Sequence, residues 1–214
     1  MSIAAQDAAT GASTIRQCKR EKEVFMGKVI VGTTMSLDGF MNDRNGGVSR
    51  LYPDLEALRK TELLQESIRT TGAVVMGRRA YAMGDPDWYA DHYEFQVPIF
   101  VLTHAVPEHL PKKNDKLTFT FVTEGIEHAI AQAKAAAGDK NVMVIGGANT
   151  AQQCIRAGLV DEIQIGIIPV LLGEGLRLFE HLGSEQIELE RMKIIESPMR
   201  TDMRFRVVKK RRIL

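Results

Sequence analysis

Cysteine is nearly absent from this chain: two residues in 214, Cys18 and Cys154, with no metal-ligand spacing between them. That excludes a disulfide framework and fits a reducing cytoplasm. Long apolar runs are missing too. No stretch approaches the roughly 20 residues needed to span a bilayer, so no membrane is expected. Charge of one sign is also lacking, since 28 Lys and Arg stand against 27 Asp and Glu for a formal net charge of +1. Nucleic-acid-binding domains are usually clearly basic, and the balance argues against such a partner. His92, His104, His109, His128 and His181 show no metal spacing, so no metal is expected.

What remains is the composition of an ordinary globular chain, 44% hydrophobic and 26% charged, long enough to bury a sizeable core. Residues 1–26 differ from the rest, rich in Ala, Ser, Thr and Gln and then charged at Lys19-Arg20-Glu21-Lys22-Glu23. They read as a flexible leader, with Met26 a candidate natural start and 27–214 one domain. The basic end Lys209–Arg212 reads as a solvated terminus.

From residue 28 the pattern alternates. Lys28–Met35, Ala73–Met76, Pro98–Leu102, Thr118–Val122, Val142–Ile145 and Asp161–Val170 read as strands. Ile187–Ile195 and Thr201–Val208 have no helix between them, so the turn at Pro198 predicts an antiparallel hairpin. Helices are predicted over 54–69, with a stripe of Ala57, Leu58, Thr61, Leu64 and Ile68, and over Arg78–Met83. Two more follow over 124–137, capped by Thr123, and from about Thr150 to Ala157. Gly84–Gln96, which holds the only Trp, reads as a loop. The order implies an α/β domain whose mostly parallel sheet carries an antiparallel edge.

Two turns carry the functional signal. In Ala73-Val-Val-Met-Gly-Arg-Arg79 and Val142-Met-Val-Ile-Gly-Gly-Ala-Asn149, four apolar residues stop at glycine before a helix. A run of that kind suggests a strand buried on both faces, and the following helix offers N–H groups to a phosphate. Two such turns, one with paired arginines, suggest NADPH. Arg78 or Arg79 is matched to the 2′-phosphate by its planar fork of donors, with Thr103 adding a hydroxyl. Gly146 and Gly147 would let a pyrophosphate approach the backbone. The alternative is that the glycines only make tight turns and that the arginines are solvated.

The chain resembles the dihydrofolate reductase-like superfamily, most closely the branch containing the riboflavin-biosynthesis reductase C-terminal domain. The resemblance rests on Thr33-Thr-Met-Ser-Leu-Asp-Gly-Phe40, Val75-Met-Gly-Arg-Arg-Ala-Tyr81, Val101-Leu-Thr-His104, Val144-Ile-Gly-Gly-Ala-Asn149 and the segment Leu159–Gly175. It implies about eight strands and four helices, with NADPH lying across the sheet. Thr33, Gly77, Arg78, Arg79, Thr103 and His104, then Gly146, Gly147, Ala148, Asn149 and Thr150, would bind the cofactor. The family often has Thr where Ala80 stands and Arg where His104 stands, which weakens the adenine side.

For the substrate, Asp54, Glu56 and Glu62 lie in the region of the dihydrofolate reductase carboxylate but in no matching motif. Asp38 matches the riboflavin-type branch and could contact substrate or relay a proton, or could simply make the Asp-Gly turn. Trp88 and Tyr89 could cover a substrate or cap the core edge. The implied activity is NADPH-dependent reduction of a small heterocycle, a pterin or a ribosylaminopyrimidine, by a cytoplasmic homodimer. A nucleotide-binding protein without catalysis and a dimeric assembly protein are the alternatives. The deaminase zinc signature, His-x-Glu with Pro-Cys-x-x-Cys, is absent from the sequence.

Overall fold

The continuous apolar runs build the centre of a sheet whose two faces are both covered. The computed structural model describes residues 27–209, so the expected leader, Cys18 and most of the basic end lie outside the described residues. The strands are β1 Val29–Ser36, β2 Thr71–Gly77, β3 Ile99–Leu102, β4 Phe119–Val122, β5 Asn141–Ile145, β6 Glu162–Ile168, β7 Leu189–Glu196 and β8 Thr201–Val207. They form one sheet in the order β4-β3-β2-β5-β1-β6-β8-β7. From β4 to β6 every pairing is parallel; β8 runs antiparallel between β6 and β7. This is the predicted mostly parallel sheet with a C-terminal hairpin. Pro169, which cannot donate to a ladder, follows directly on the end of β6.

Alternate residues of β1 point to opposite faces. Val29 and Val31 pack with Ala129, Ile130 and Ala133 of α5 (Ile126–Ala137) and with Ala151, Cys154 and Ile155 of α6 (Ala148–Arg156). Ile30 turns the other way, into a cluster with Val74, Met76, Ile99, Val101 and Met143. Each such fully buried aliphatic side chain contributes about 1.5–3 kcal/mol, so a run buried on both faces gains at every position. Burial also pushes the Cys154 thiol up to about 12, which leaves it inert at neutral pH.

Four helical predictions need correction. The single helix over 54–69 is two, α1 Leu55–Arg59 and α2 Glu62–Thr70. Thr61 breaks them by capping α2, its hydroxyl accepting from the Leu64 N–H, and Ala57 of the expected stripe is exposed. The predicted loop 84–96 contains a 3₁₀ turn and α4, Tyr89–His92. Thr123 does not cap α5, because Gly125 does so at φ 104°. The helix placed from Thr150 starts at Ala148. With α3 at Arg78–Tyr81 the helices number six among the described residues rather than about four.

Candidate active site

Because β2 lies beside β5, the two glycine turns that end these strands meet. A Cβ on Gly77 would stand 2.6 Å from Thr150 Oγ1, and one on Gly147 would stand 3.4 Å from that oxygen and 3.8 Å from Gly77 Cα. Gly146 and Gly147 have φ values of 78° and 85°, which glycine adopts at no steric cost. A Cβ on Gly146 would also lie 2.7 Å from that of Ala80. The turns therefore form one seat, with Thr150 buried as the peg between them. At this seat α6 begins with no acidic residue in its first turn, and its first N–H groups have no acceptor within the helix.

The seat opens on a cleft of about 750 Å³. Its lining includes Gly32 and Thr33 of β1, the loop Met41–Gly46, Arg79, Ala80 and Ile145–Ala148. Glu174–Leu176 closes the far side, held by the Leu176 N–H donating to Asn42 Oδ1 at 2.8 Å. The donor set suits a dinucleotide: flexible glycine backbone, a helix start and a guanidinium along one groove. Of the predicted cofactor residues, Thr33, Arg79, Gly146, Gly147 and Ala148 line this cleft. Arg78, His104 and Asn149 are exposed and are not among its lining residues. Thr103 is buried, with its hydroxyl donating to the Ala105 carbonyl at 2.8 Å, so it is already engaged in its own turn.

A second cleft of about 310 Å³ lies between the sheet and the α1–α2 pair. Leu55, Leu58, Leu63 and Leu64 form one wall; Met143, Ile145, Ile165 and Met203 form the floor; Tyr93 and Phe95 form an end. Gly32, Thr33, Tyr52 and Ile145 line both clefts, so the two join over the middle of β1, beside the carboxyl end of β5. Open parallel sheets place their ligands at such strand ends.

The charged groups lining the second cleft are Glu94 and, from β8, Asp202 and Arg204. Arg200, just before β8, is in register with those two at every second residue. Arg200 Nε and Nη2 donate to both oxygens of Asp54 at 2.7 Å, and the two side chains are only 4% and 9% exposed. That fork holds the Asp54 carboxyl below the usual range. Asp202 has no such partner: Arg200 Nη1 is 3.9 Å away, and burial raises the Asp202 carboxyl above its ordinary value. Arg204 Nη2 donates to Glu66 at 2.9 Å, while its buried Nε has no partner. Among the acids, the sequence pointed to Asp38 ahead of Asp54, Glu56 and Glu62 and did not single out Asp202, which lines this cleft. The available signal was the charge at every second residue of a predicted strand.

Asp38 lines neither cleft. Its carboxylate accepts from Ser36 Oγ at 2.5 Å and from the Leu172 and Gly173 N–H groups at 3.1 and 2.8 Å. The Ser36 hydroxyl, with those backbone donors, holds the carboxyl at about 2. Such a group has no proton to give at neutral pH. Through these bonds Asp38 ties the Ser36–Phe40 loop to the 170–177 segment. Trp88 and Tyr89 also line neither cleft. Trp88 is exposed and stacks on His92 with 5.4 Å between centroids, whereas Tyr89 is buried against Tyr81 in the core.

The sequence profile of the RibD C-terminal domain matches residues 27–201. The chain belongs to that family. Uncharacterized protein YwjB of Bacillus subtilis (strain 168) is 27% identical over 161 residues, which is 74% of this chain and 86% of YwjB. The solved structure of a candidate riboflavin biosynthesis protein from Shewanella sp. PV-4 superposes with a TM-score of 0.70 at 24% identity, covering 85% of this chain and 99% of that one. The diaminohydroxyphosphoribosylaminopyrimidine deaminase/5-amino-6-(5-phosphoribosylamino)uracil reductase of Thermotoga maritima gives 0.62 at 13% identity, over 86% of this chain and 57% of that protein. The fold of this RibD C-terminal domain is the dihydrofolate reductase-like one.

Proposed function

We propose that this chain is an NADPH-dependent reductase of a small heterocyclic substrate. The observation that carries the reading is the junction of the two clefts at Gly32, Thr33, Tyr52 and Ile145. The larger cleft with its glycine seat meets an apolar, leucine-walled cleft there. The chemistry that a bound nicotinamide supplies is hydride donation. The protein's part is placement. Gly146, Gly147 and the start of α6 hold the pyrophosphate. Arg79, with Arg78 beside it, holds the 2′-phosphate, and Thr103 and His104 flank the adenosine end. Thr33, Tyr52 and Ile145 frame the meeting point, and the α1–α2 leucines exclude water from it. Asp38 acts as the loop tie. The exposed β7 makes a homodimer through that edge the natural assembly, and the scarcity of cysteine suits a cytoplasmic enzyme.

Thermal shift with NADPH and NADH tests this. NADPH at 100 times its Kd is expected to add about 2.7 kcal/mol of stability. Arg79→Ala is expected to weaken NADPH by at least tenfold and leave NADH nearly unchanged. If neither nucleotide moves the melting temperature at millimolar concentration, the reductase reading fails. Equal losses for both nucleotides remove Arg79 from 2′-phosphate selection.

A further inference from the structure

We propose that the smaller cleft takes an uncharged, flat, largely apolar heterocycle whose N–H donors meet Asp202, and that it rejects phosphoribosylated pyrimidines. The inference rests on the reductase reading and assigns its substrate class. Leucines from two helices and methionines from β5 and β8 line the cleft, and they offer a heterocycle flat apolar faces. Its titratable charges are Glu94, Asp202 and Arg204. Arg59 already holds Glu94, with Nη2 3.0 Å from Oε1, and Glu66 neutralises Arg204. Arg200 is committed to Asp54 through Nε and Nη2, with Nη1 3.9 Å from Asp202.

The cleft is therefore net negative, and its one cation is already paired. A phosphate ester carries about −1.5 to −2 at neutral pH and finds no free cation among the lining residues. Beside Asp202 in a poorly solvated space it would be repelled. The Thermotoga maritima enzyme is by its name a reductase of a phosphoribosylamino compound, so sharing its fold does not bring its substrate with it.

One group is built for a neutral ring. The Asp202 side chain is 15% exposed, has no hydrogen bond and faces the space that Gly166 leaves open, where a Cβ would come within 2.9 Å of Oδ1 and 3.1 Å of Arg200 Nη1. A carboxylate accepts through two oxygens, and two neighbouring N–H donors on the edge of a heterocycle match it.

The test is binding of 6-hydroxymethylpterin and of its monophosphate ester, measured by pterin fluorescence at pH 7.5 without any nicotinamide nucleotide. The free pterin is expected to bind at least tenfold more tightly than the ester. Asp202→Asn should lower its affinity at least tenfold. Leu55→Lys places a cation where the wall is 37% exposed, and it should strengthen the ester alone, a gain that misfolding cannot produce. The proposal is overturned if the ester binds as well as the pterin, if neither binds at 1 mM (~100-fold above a 10 µM Kd), or if Asp202→Asn changes nothing. A protein that binds NADPH but fails these arms remains a reductase of another substrate class. One that passes them without binding NADPH keeps this cleft and loses the reductase reading.

Discussion

Asp54 and Asp202 stand on either side of Arg200, and the same physics sends them in opposite directions. The bidentate fork lowers the Asp54 carboxyl, whereas burial without a donor raises that of Asp202. An acid whose folded value lies above its unfolded 3.8 holds more protons when folded. Its effect on stability is therefore absent below 3.8 and becomes a full cost above the raised folded value. Asp202→Asn is thus expected to melt at the same temperature as the unaltered protein, or higher, at pH 7.5, with the gap closing toward pH 3. A series of melting temperatures against pH checks this. A fall of several degrees at pH 7.5 would make Asp202 a structural residue and not one held for a ligand.

At the scale of elements, the glycine seat proposed for the cofactor depends on two strand ends approaching closely. Gly146 is the tightest point, because it combines a φ of 78° with a Cβ position 2.7 Å from that of Ala80. Left-handed backbone costs an L-residue about 1–2 kcal/mol, and the contact adds to that. Gly146→Ala should lower stability by about 2 kcal/mol or more, read by urea unfolding, and should abolish the NADPH-induced shift. Gly173→Ala is the control: its φ of 76° is similar, but nothing stands within 4 Å of the added Cβ, so the cofactor shift should survive. The helical errors belong to this scale as well. A capping threonine inside an amphipathic stretch splits the stretch when its hydroxyl finds a backbone N–H, and hydrophobic spacing alone does not register that choice.

For the whole molecule, the outer hairpin is the unusual part. β7 is exposed along nearly all its length and carries Leu189, Met192 and Ile194 outward. An uncovered edge of that kind invites pairing. Analytical ultracentrifugation is expected to give a dimer at micromolar concentration, and Ile194→Glu should shift it to monomer while the nucleotide response is retained. A monomer in the unaltered protein would overturn the dimer. Much of the remaining architecture was legible beforehand. The β2 and β5 runs showed burial on both faces, the glycines marked the strand ends, and the missing helix before β8 showed the antiparallel turn. The second cleft was not legible, since its walls come from α1, α2, β5 and β8 and Asp202 is far along the chain from Asp38, the acid the sequence favoured.

By itself, the sequence determined the strand order in the chain, the class of fold and the glycine turns that end β2 and β5, because all of these are written in local periodicity and local backbone freedom. Only the tertiary structure decided that the two turns form one seat, that Asp38 ties a loop, that Asp54 is consumed by Arg200 and that Asp202 faces the cleft. These depend on which strands become neighbours, and for residues as far apart as Asp54 and Arg200 that is settled by packing across the sheet and not by anything within reach along the chain.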